Sequence, residues 1–346
     1  MEISFLGYFR YKCMLLPIKA NMRTLKIAII FGMIGVVSIA CKRRDENNIK
    51  PSDIVRLDQK IALMRDTTDA CDLMSEYNDA LSLLFTAIGR NYAKAADLYD
   101  YSKTSSYTVF YEAIDKAGLN VDSLEMIFGQ IDTAMNKALN GIGIGNLYGV
   151  ISPYRQWIFT NDSITLIGLN HYLGADFEGY NAFEKYYRRH KSPEYMPYDV
   201  LEARLGTLYP RRIDDKSTVL SALVYNGVLT HAKLKLIPDA TLDRALGLDA
   251  ADVEWAADNE KLIWRQLLYE GLLFSTSELD VKRLLSPSAV SSVIAADAPG
   301  AIARYIGYKI VENYMNEMPD TSLSDLLSPA FYNDPSVLAK SRYNPR

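Results

Sequence analysis

The chain has 346 residues, of which 49% are hydrophobic and 23% are charged, and its formal net charge is −4. Residues 1–40 contribute +4 to that balance, so the remaining residues carry a net charge of −8. This acidic composition argues against nucleic acid as a partner, because contacts to phosphates need a concentrated basic face. About 300 residues are enough to bury the core of one large domain or of two smaller ones.

The N-terminal region has the parts of a secretory signal peptide. A basic run at 22–26 precedes an apolar segment at 27–37, and Ser38, Ala40 and Cys41 follow. This apolar segment of 11 residues is well short of the roughly 20 residues that span a bilayer. Small residues before a cysteine resemble the lipobox of bacterial lipoproteins, in which the cysteine is acylated and becomes the mature N-terminus. We therefore expect a lipid anchor on Cys41.

The composition divides the chain into five segments. They are an expected mis-annotated upstream start at 1–21, a lipoprotein signal peptide at 22–40, a lipidated N-terminus and charged tether at 41–52, a soluble domain at 53–330 and a C-terminal tail at 331–346. Lys42, Arg43 and Arg44 precede the acids that follow Cys41. This order matches only loosely the surface-export signal in which acids follow one lysine. We therefore expect an outer-membrane location that faces the periplasm.

The cysteines provide no internal disulfide for the mature chain. Cys13 lies before the signal, Cys41 is the expected anchor, and Cys71 has no partner. A protein of the envelope with an adequate core does not need a disulfide. We expect Cys71 to be a buried or half-buried side chain rather than a catalytic thiol.

Hydrophobic periodicity predicts a mainly α protein with a small β-sheet. In chain order, helices are predicted from Ser52 onward, over 73–88, near 93–96, and over 123–139, about 217–236, 250–274 and 299–316. Short β-rich runs on both sides of Asn161 and Asp162 predict a hairpin. Residues 170–216 are rich in tyrosine, arginine and proline, and we expect an irregular segment there.

Two motifs are close to known sites but lack their defining residues. The glycines at 141, 143, 145 and 149 have neither the Lys-Ser/Thr of a P-loop nor the spacing of a dinucleotide site, so we expect no nucleotide cofactor. No Gly-x-Ser-x-Gly sequence supports serine catalysis.

The pairs Asp97/Tyr101 and Lys309/Glu312 are typical of solvated helix faces.

The chain has three histidines, His171, His190 and His231, and no His-Glu-x-x-His sequence. Catalytic zinc usually needs three protein ligands. His190 and Glu194 are four residues apart, but Pro193 disfavours the helix that would bring them together. We therefore predict no metal site and no cofactor. The 24 tyrosines are spread along the chain, so packing explains them better than sugar stacking.

The predicted helix at 299–316 is the most regular part of the chain. Ile302, Ile306 and Ile310 form a stripe at four-residue spacing, and Ala303 and Gly307 form a face of small residues. Glycine inside a helix costs up to about 1 kcal/mol relative to alanine. We therefore expect another backbone to pack closely on Gly307.

Four segments together resemble the gliding motility lipoprotein GldB family of Bacteroidetes. Residues 163–176 (SITLIGLNHYLGAD) resemble the family's lllIGLDxYLGxD, and 193–196 (PEYM) resemble its PEYI. Glu254-Trp255 with 259–264 (NEKLIW) also fits, and 298–311 (APGAIARYIGYKIV) resemble SPGRIGRWIGWQIV. The motifs run in order over roughly residues 55–328. Asn170-His171 and Ala301 depart from the family's acid and arginine.

The resemblance implies a zincin-like metallopeptidase-type architecture without the metal ligands. Active zincins carry His-Glu-x-x-His on a central helix, and the corresponding helix here is Val219 to Leu236. It contains Tyr225, Asn226 and Gly227 and no pair of metal ligands. The resemblance therefore implies a peptidase-like scaffold that is catalytically inactive.

Three functional hypotheses follow. The first is a non-enzymatic envelope lipoprotein, linked to gliding or secretion, that binds envelope proteins and is held on the membrane by its N-terminal lipid. The second is a metallohydrolase with an atypical ligand set, His171 or His231 with Glu260. The third is a glycan- or nutrient-binding lipoprotein that uses its tyrosines.

Overall fold

The computed structural model describes residues 49–90, 94–154 and 156–345. The predicted signal peptide and Cys41 lie outside the described residues. Within them the chain is mainly helical. The helices are α1 (Leu57–Ala62), α2 (Thr67–Glu76), α3 (Asn78–Ile88), α4 (Ala95–Ser102), α5 (Ser105–Ala117), α6 (Val121–Ala138), α7 (Lys185–Arg188), α8 (Met196–Leu208), α9 (Val219–Leu236), α10 (Leu242–Leu246), α11 (Ala250–Asp258), α12 (Glu260–Tyr269), α13 (Glu278–Leu285), α14 (Ala303–Glu317), α15 (Leu323–Leu326), α16 (Pro329–Tyr332) and α17 (Val337–Ser341).

The strands form one small four-stranded sheet. They are β1 (Ile54–Arg56), β2 (Asn146–Val150), β3 (Ile158–Thr160) and β4 (Ile164–Gly168), in the spatial order β1-β2-β4-β3. β1 and β2 pair in parallel, as do β2 and β4, whereas β3 pairs antiparallel with β4. The structure therefore confirms both the predicted small sheet and the predicted hairpin.

The hairpin turn is held by local and distant hydrogen bonds. The Asn161 side chain accepts from the backbone N–H of Ser163 at 3.0 Å and of Ile164 at 2.9 Å, as in an Asx turn. Arg204 of α8 donates to the carbonyl oxygen of Asp162 at 2.7 Å and to that of Gly143 at 3.1 Å. Arg204 thus ties the hairpin to the glycine-rich loop that leads into β2.

Helix α9 is the central helix and is buried on nearly all sides. It packs most extensively against α14. At their contact, a Cβ added to Gly227 would lie 2.1 Å from the carbonyl oxygen of Gly307, and one added to Gly307 would lie 2.1 Å from that of Leu223. The predicted close approach at Gly307 is confirmed. Ile302, Ile306 and Ile310 are fully buried, as the stripe predicts.

Several predicted helix boundaries are wrong. The last long helix begins at Ala303 rather than at Pro299, because Ala301 has a φ of 59°, which no right-handed helix contains. The predicted helix at 250–274 is interrupted at Asn259, whose φ and ψ are −109° and 16°. The first predicted helix is preceded by β1, where Ile54 and Val55 pair with β2.

The segment 170–216 is more regular than predicted, since it contains the 13-residue helix α8. Pro197 lies in the first turn of α8, where the missing N–H breaks no helical hydrogen bond. Residues 331–345 also belong to the packed body. α17 packs against α14, and Tyr332 and Tyr343 are only 1% and 5% exposed.

Two side-chain predictions are also wrong. Tyr101 is not on a solvated face: it is buried and donates a hydrogen bond of 2.8 Å to the carbonyl oxygen of Ile151. Cys71 is exposed rather than buried or half-buried, because α2 turns it away from the core side of Ala70. In the described part of the chain, no helix is long and apolar enough to cross a membrane.

Candidate functional site: a charged cavity

A cavity of about 360 Å³ lies where β3, α8, α9 and α14 come together. Its walls are partly apolar, with Trp157, Ile158, Tyr198 and Pro287, and the volume is within the range of small-molecule sites. Charged side chains from separate parts of the chain also line it: Lys191, Asp199, Glu202, Lys233, Arg244 and Arg304. The cavity is therefore a candidate ligand site, and the contacts of these groups define its chemistry.

Helix α8 supplies the two carboxyl groups. Asp199 and Glu202 are three residues apart, so they share one helix face. Asp199 accepts hydrogen bonds from Trp157 Nε1 at 3.0 Å and from the Tyr172 hydroxyl at 2.9 Å, and both donors reach the same oxygen, Oδ2. Burial raises the pKa of Asp199 to about 6, although the hydrogen bonds oppose this rise. Asp199 therefore titrates close to neutral pH.

Glu202 forms an ion pair with Lys233 of α9, with an N···O distance of 2.5 Å. The Lys233 side chain is only 5% exposed, whereas that of Glu202 is 41% exposed because it faces the open cavity. Burial alone would raise the pKa of Glu202, but Lys233 and Arg304 outweigh that effect and hold the pKa at about 2. Glu202 is therefore ionised at any physiological pH.

Lys191 lies against two rings. Its Nζ is 2.8 Å from Nδ1 of His171 and 4.1 Å from the centre of the Trp157 ring. Burial lowers the pKa of Lys191 to about 8. Burial and, next, the charge of Lys191 lower the pKa of His171 to about 3. His171 is therefore neutral, with its proton on Nε2, 3.2 Å from the carbonyl oxygen of Pro153, and its Nδ1 accepts from Lys191.

The two arginines differ from Lys233 because they have no carboxylate partner. Arg304 donates from Nε to the carbonyl oxygen of Leu285 at 2.8 Å and from Nη1 to that of Leu246 at 3.0 Å. In the described part of the chain, no carboxylate lies within 4 Å of Arg304 or Arg244. The cavity thus has four cationic side chains and two carboxyl groups.

His190 also borders this cavity. Its Nε2 is buried and has no hydrogen-bond partner within the described residues. Burial, followed by the charges of Arg189 and Arg304, lowers the pKa of His190 to about 4. Unlike Arg304, Arg189 is neutralised, by Asp249 and Asp252 at 2.9 Å each.

The residues of the suggested metal set are engaged separately. His171 uses both ring nitrogens within the protein, as described above. His231 lies on α9, and burial and Lys235 lower its pKa. Glu260 begins α12 and accepts a hydrogen bond of 2.7 Å from the Tyr343 hydroxyl. In the described ranges, no group of three or more His, Cys, Asp or Glu side chains is arranged to hold a metal.

Many tyrosines are packed in the core, whereas others such as Tyr269 are exposed. Tyr107, Tyr172, Tyr180 and Tyr332 are among the largest fully buried side chains. Tyr154 contacts the rings of Phe110, His171, Tyr180 and Phe183 edge to face. A fully buried ring has no face free for a sugar, so these four tyrosines do not support glycan binding.

The charged residues of the cavity were not predicted from the sequence. Lys191, Asp199 and Glu202 lie in a segment that was expected to be irregular, and Lys233 and Arg304 each lie on a helix that looked merely structural. One signal was present: the Asp-x-x-Glu spacing behind Pro197 is typical of the first turn of a helix. No local pattern, however, indicates that the two lysines and the arginine face these acids.

A second surface feature is an exposed apolar segment at 262–279. It contains five exposed large hydrophobic residues, of the twelve in the described ranges. Tyr269 is 85% exposed, Leu279 65% and Phe274 63%. Leu262 lies seven residues before Tyr269, on the same face of α12. Such a concentration is unusual, since scattered single exposed apolar residues are the norm.

These features define a mainly helical protein with a small mixed sheet and a preformed charged cavity. Residues 41–345 match the family described as gliding motility protein GldB, and the match begins at Cys41. The chain belongs to this family, which implies a lipoprotein of the cell envelope associated with gliding motility. No curated protein matches the chain, and no solved structure matches it.

Proposed function

We propose that this protein is a non-enzymatic envelope lipoprotein that acts by binding another envelope protein. In this proposal a lipid on Cys41 anchors it in the outer membrane, and the folded body faces the periplasm. Family membership supports the envelope location. The exposed apolar segment at 262–279 carries the proposal of a protein partner.

The exposed residues of this segment have the composition of an interface core. Aromatic residues are enriched in such cores, and Tyr269 and Phe274 are both more than 60% exposed. At roughly 25 cal/mol per Å² of apolar area removed from water, covering two such side chains contributes several kcal/mol, from which the costs of association are subtracted. Leaving them exposed has no comparable benefit for the isolated chain.

Site-specific photo-cross-linking in intact cells tests the proposal. A photoreactive amino acid placed at Tyr269 or Phe274 should give one discrete adduct, larger than the protein itself, which mass spectrometry identifies. Val109 of α5 is the matched control position, because it is 58% exposed and lies outside the segment. Equal yields at 109 and 269, a ladder of unrelated adducts, or adducts that contain only this chain would contradict a dedicated partner.

The absence of catalysis and the zincin-like ancestry belong to the same proposal. They are supported by the packing of α9, the helix that the family resemblance relates to the ligand-bearing helix of active zincins. Tyr225 donates its hydroxyl to the carbonyl oxygen of Tyr209 at 2.9 Å, and Gly227 packs against the backbone of Gly307. Both residues of α9 therefore make structural contacts within the protein. Zinc above about 0.1 equivalent in the purified protein, lost together with a hydrolytic activity on chelation, would overturn this part of the proposal.

A further inference from the structure

We propose that the charged cavity binds a small organic anion, a carboxylate or a phosphate ester with an apolar body. Nothing in the family match assigns a ligand to it, and the inference does not depend on the proposed protein partner. It rests on the balance of charge around the cavity, on the groups that have no partner, and on the shape of the walls.

Cationic side chains outnumber carboxyl groups around the cavity. Lys191, Lys233, Arg244 and Arg304 line one cavity with only Asp199 and Glu202 to balance them. Glu202 contacts Lys233 and acts on Arg304 only from a greater distance. Four cations therefore face two carboxyl groups. This excess occurs in a chain whose net charge is −4, so it does not follow from the composition.

Burying cationic groups away from water costs free energy. A cation removed from water loses hydration free energy that only an anion or several hydrogen bonds restore. Arg304 is held by two backbone carbonyl oxygens, and Lys191 by a neutral imidazole and an aromatic ring. Neither contact neutralises a charge. Asp199 acts on both cations, and Glu202 on Arg304, without contact within 4 Å, so an anion bound in the cavity would supply further countercharge for both.

The shapes of the charged groups and of the cavity wall favour an anion with an apolar body. A guanidinium group presents N–H donors in a planar fork that matches the oxygens of a carboxylate or a phosphate. Arg244 makes no side-chain hydrogen bond or ion pair within the described residues, so its guanidinium donors are free where it lines this cavity. Trp157 and Ile158 form an apolar wall in the same cavity. The ligand therefore has an anionic end and an apolar body rather than being a bare inorganic ion.

Isothermal titration calorimetry on the full-length lipoprotein, purified in detergent, provides the test. The probes are phenylacetate and phenyl phosphate, with phenylacetamide, benzylamine, phenylalanine and inorganic phosphate as comparisons. We expect saturable binding of phenylacetate or phenyl phosphate, and the better of the two identifies the anionic group. Binding at least about tenfold weaker is expected for the amide and the amine, because they lack the charge that the arginines recognise.

Two substitutions with opposite expected effects keep the test independent of folding. Arg244→Met should weaken anion binding about tenfold, whereas Glu202→Gln should strengthen it, because it removes a negative charge from the cavity wall. Arg212→Met, at an exposed position outside the cavity, is the matched control and should leave binding unchanged. Thermal unfolding of each variant checks that it is folded.

Each other result overturns the proposal. Absence of binding by both anionic probes shows that the excess charge is structural. Equal binding of the amide, or tighter binding of phenylalanine, shows a neutral or zwitterionic ligand. Binding of inorganic phosphate alone removes the apolar body from the proposal. An Arg244→Met variant that binds like the Arg212→Met control places the ligand outside this cavity.

Discussion

Gly227 of α9 and Gly307 of α14 lie against each other so closely that neither position has room for a methyl group. A Cβ at Gly227 would be 2.1 Å from the carbonyl oxygen of Gly307 and 2.9 Å from the backbone nitrogen of Tyr308. The obstacle in both directions is backbone, which cannot rotate away as a side chain does. The contact therefore sets the separation of the two helices, one of which carries Lys233 and the other Arg304.

Substitution of either glycine should be strongly destabilising. Gly227→Ala or Gly307→Ala must push the helices apart, and we expect the free energy of unfolding to fall by about 1–3 kcal/mol. Gly206→Ala is the matched control in α8, since a Cβ there meets nothing within 4 Å. It should raise stability by about 0.5–1 kcal/mol through helix propensity. Urea unfolding curves of the three variants measure this, and equal midpoints would refute the close contact.

Asp199 should make the protein more stable as the pH falls through its titration range. Burial raises the pKa of Asp199 in the folded state to about 6 from a value of 3.8, so the folded protein takes up the proton first. The penalty for the buried charge is present above pH 6 and is relieved between about 6 and 3.8. The pKa of Glu202 is lowered to about 2, so its contribution to stability changes with pH in the opposite direction. The pH dependence of stability in the unchanged protein must therefore be compared with that of a variant without Asp199.

Asp199→Asn isolates this effect. Both donors reach Oδ2, so one amide oxygen can accept from Trp157 and from Tyr172. We expect the variant to keep its fold and to lose the Asp199 share of the pH dependence between 6 and 4. Asp199→Ala leaves two donors without an acceptor and should cost roughly 1–3 kcal/mol for each of them. An unchanged pH profile in Asp199→Asn would contradict the raised pKa.

None of the three histidines should titrate near its usual pKa in the folded protein. Burial lowers the pKa of His171 to about 3 and that of His190 to about 4, and it also lowers the pKa of His231. The unfolded chain takes up these protons first, so stability should be lost as the pH falls below about 6.5. Ring-proton NMR spectra recorded from pH 8 to pH 5 measure this. The same protein in urea, titrating near 6.5, is the internal control, and a folded-state midpoint above 6 for His171 would contradict its burial.

The C-terminal residues should contribute to stability. Tyr332 accepts a hydrogen bond of 2.9 Å from the backbone N–H of Arg212, and Tyr343 donates one of 2.7 Å to Glu260. Removal of 331–346 exposes the side of α14 that α17 covers, and we expect a loss of about 3 kcal/mol or more. Removal of 344–346 alone should change little. Equal thermal midpoints for both truncations would show that this segment does not stabilise the body.

The sequence predicted those parts of the fold that depend on a pattern within a few neighbouring residues. The four-residue spacing of Ile302, Ile306 and Ile310 indicated a buried helix face, and Gly307 on a neighbouring face indicated a close contact. The Asn161-Asp162 turn between two β-rich runs indicated the hairpin. These predictions succeeded because a side chain's direction on a helix or strand depends only on its position within a few residues.

The boundaries that failed depend on contacts from elsewhere in the chain. The left-handed conformation of Ala301 accompanies the packing of Gly300, where a Cβ would lie 1.9 Å from the carbonyl oxygen of Ser288. The extended conformation at Ile54 and Val55 requires β2, nearly a hundred residues later in the chain, as its partner. Periodicity within a short window cannot contain such information.

The sequence by itself determined the helical class, the hairpin, the small-residue helix face and the motifs that placed the chain in its family. Only the tertiary structure brought Lys191, Asp199, Lys233 and Arg304 to one cavity, because they lie on segments that are separate along the chain. The physical reason is that the range of a local pattern is a few residues, whereas the cavity's charge depends on how α8, α9 and α14 pack. The close contact of Gly227 with Gly307 depends on both the sequence and the tertiary structure. Both glycines are visible in the sequence, but only the packing of the helices shows that they meet.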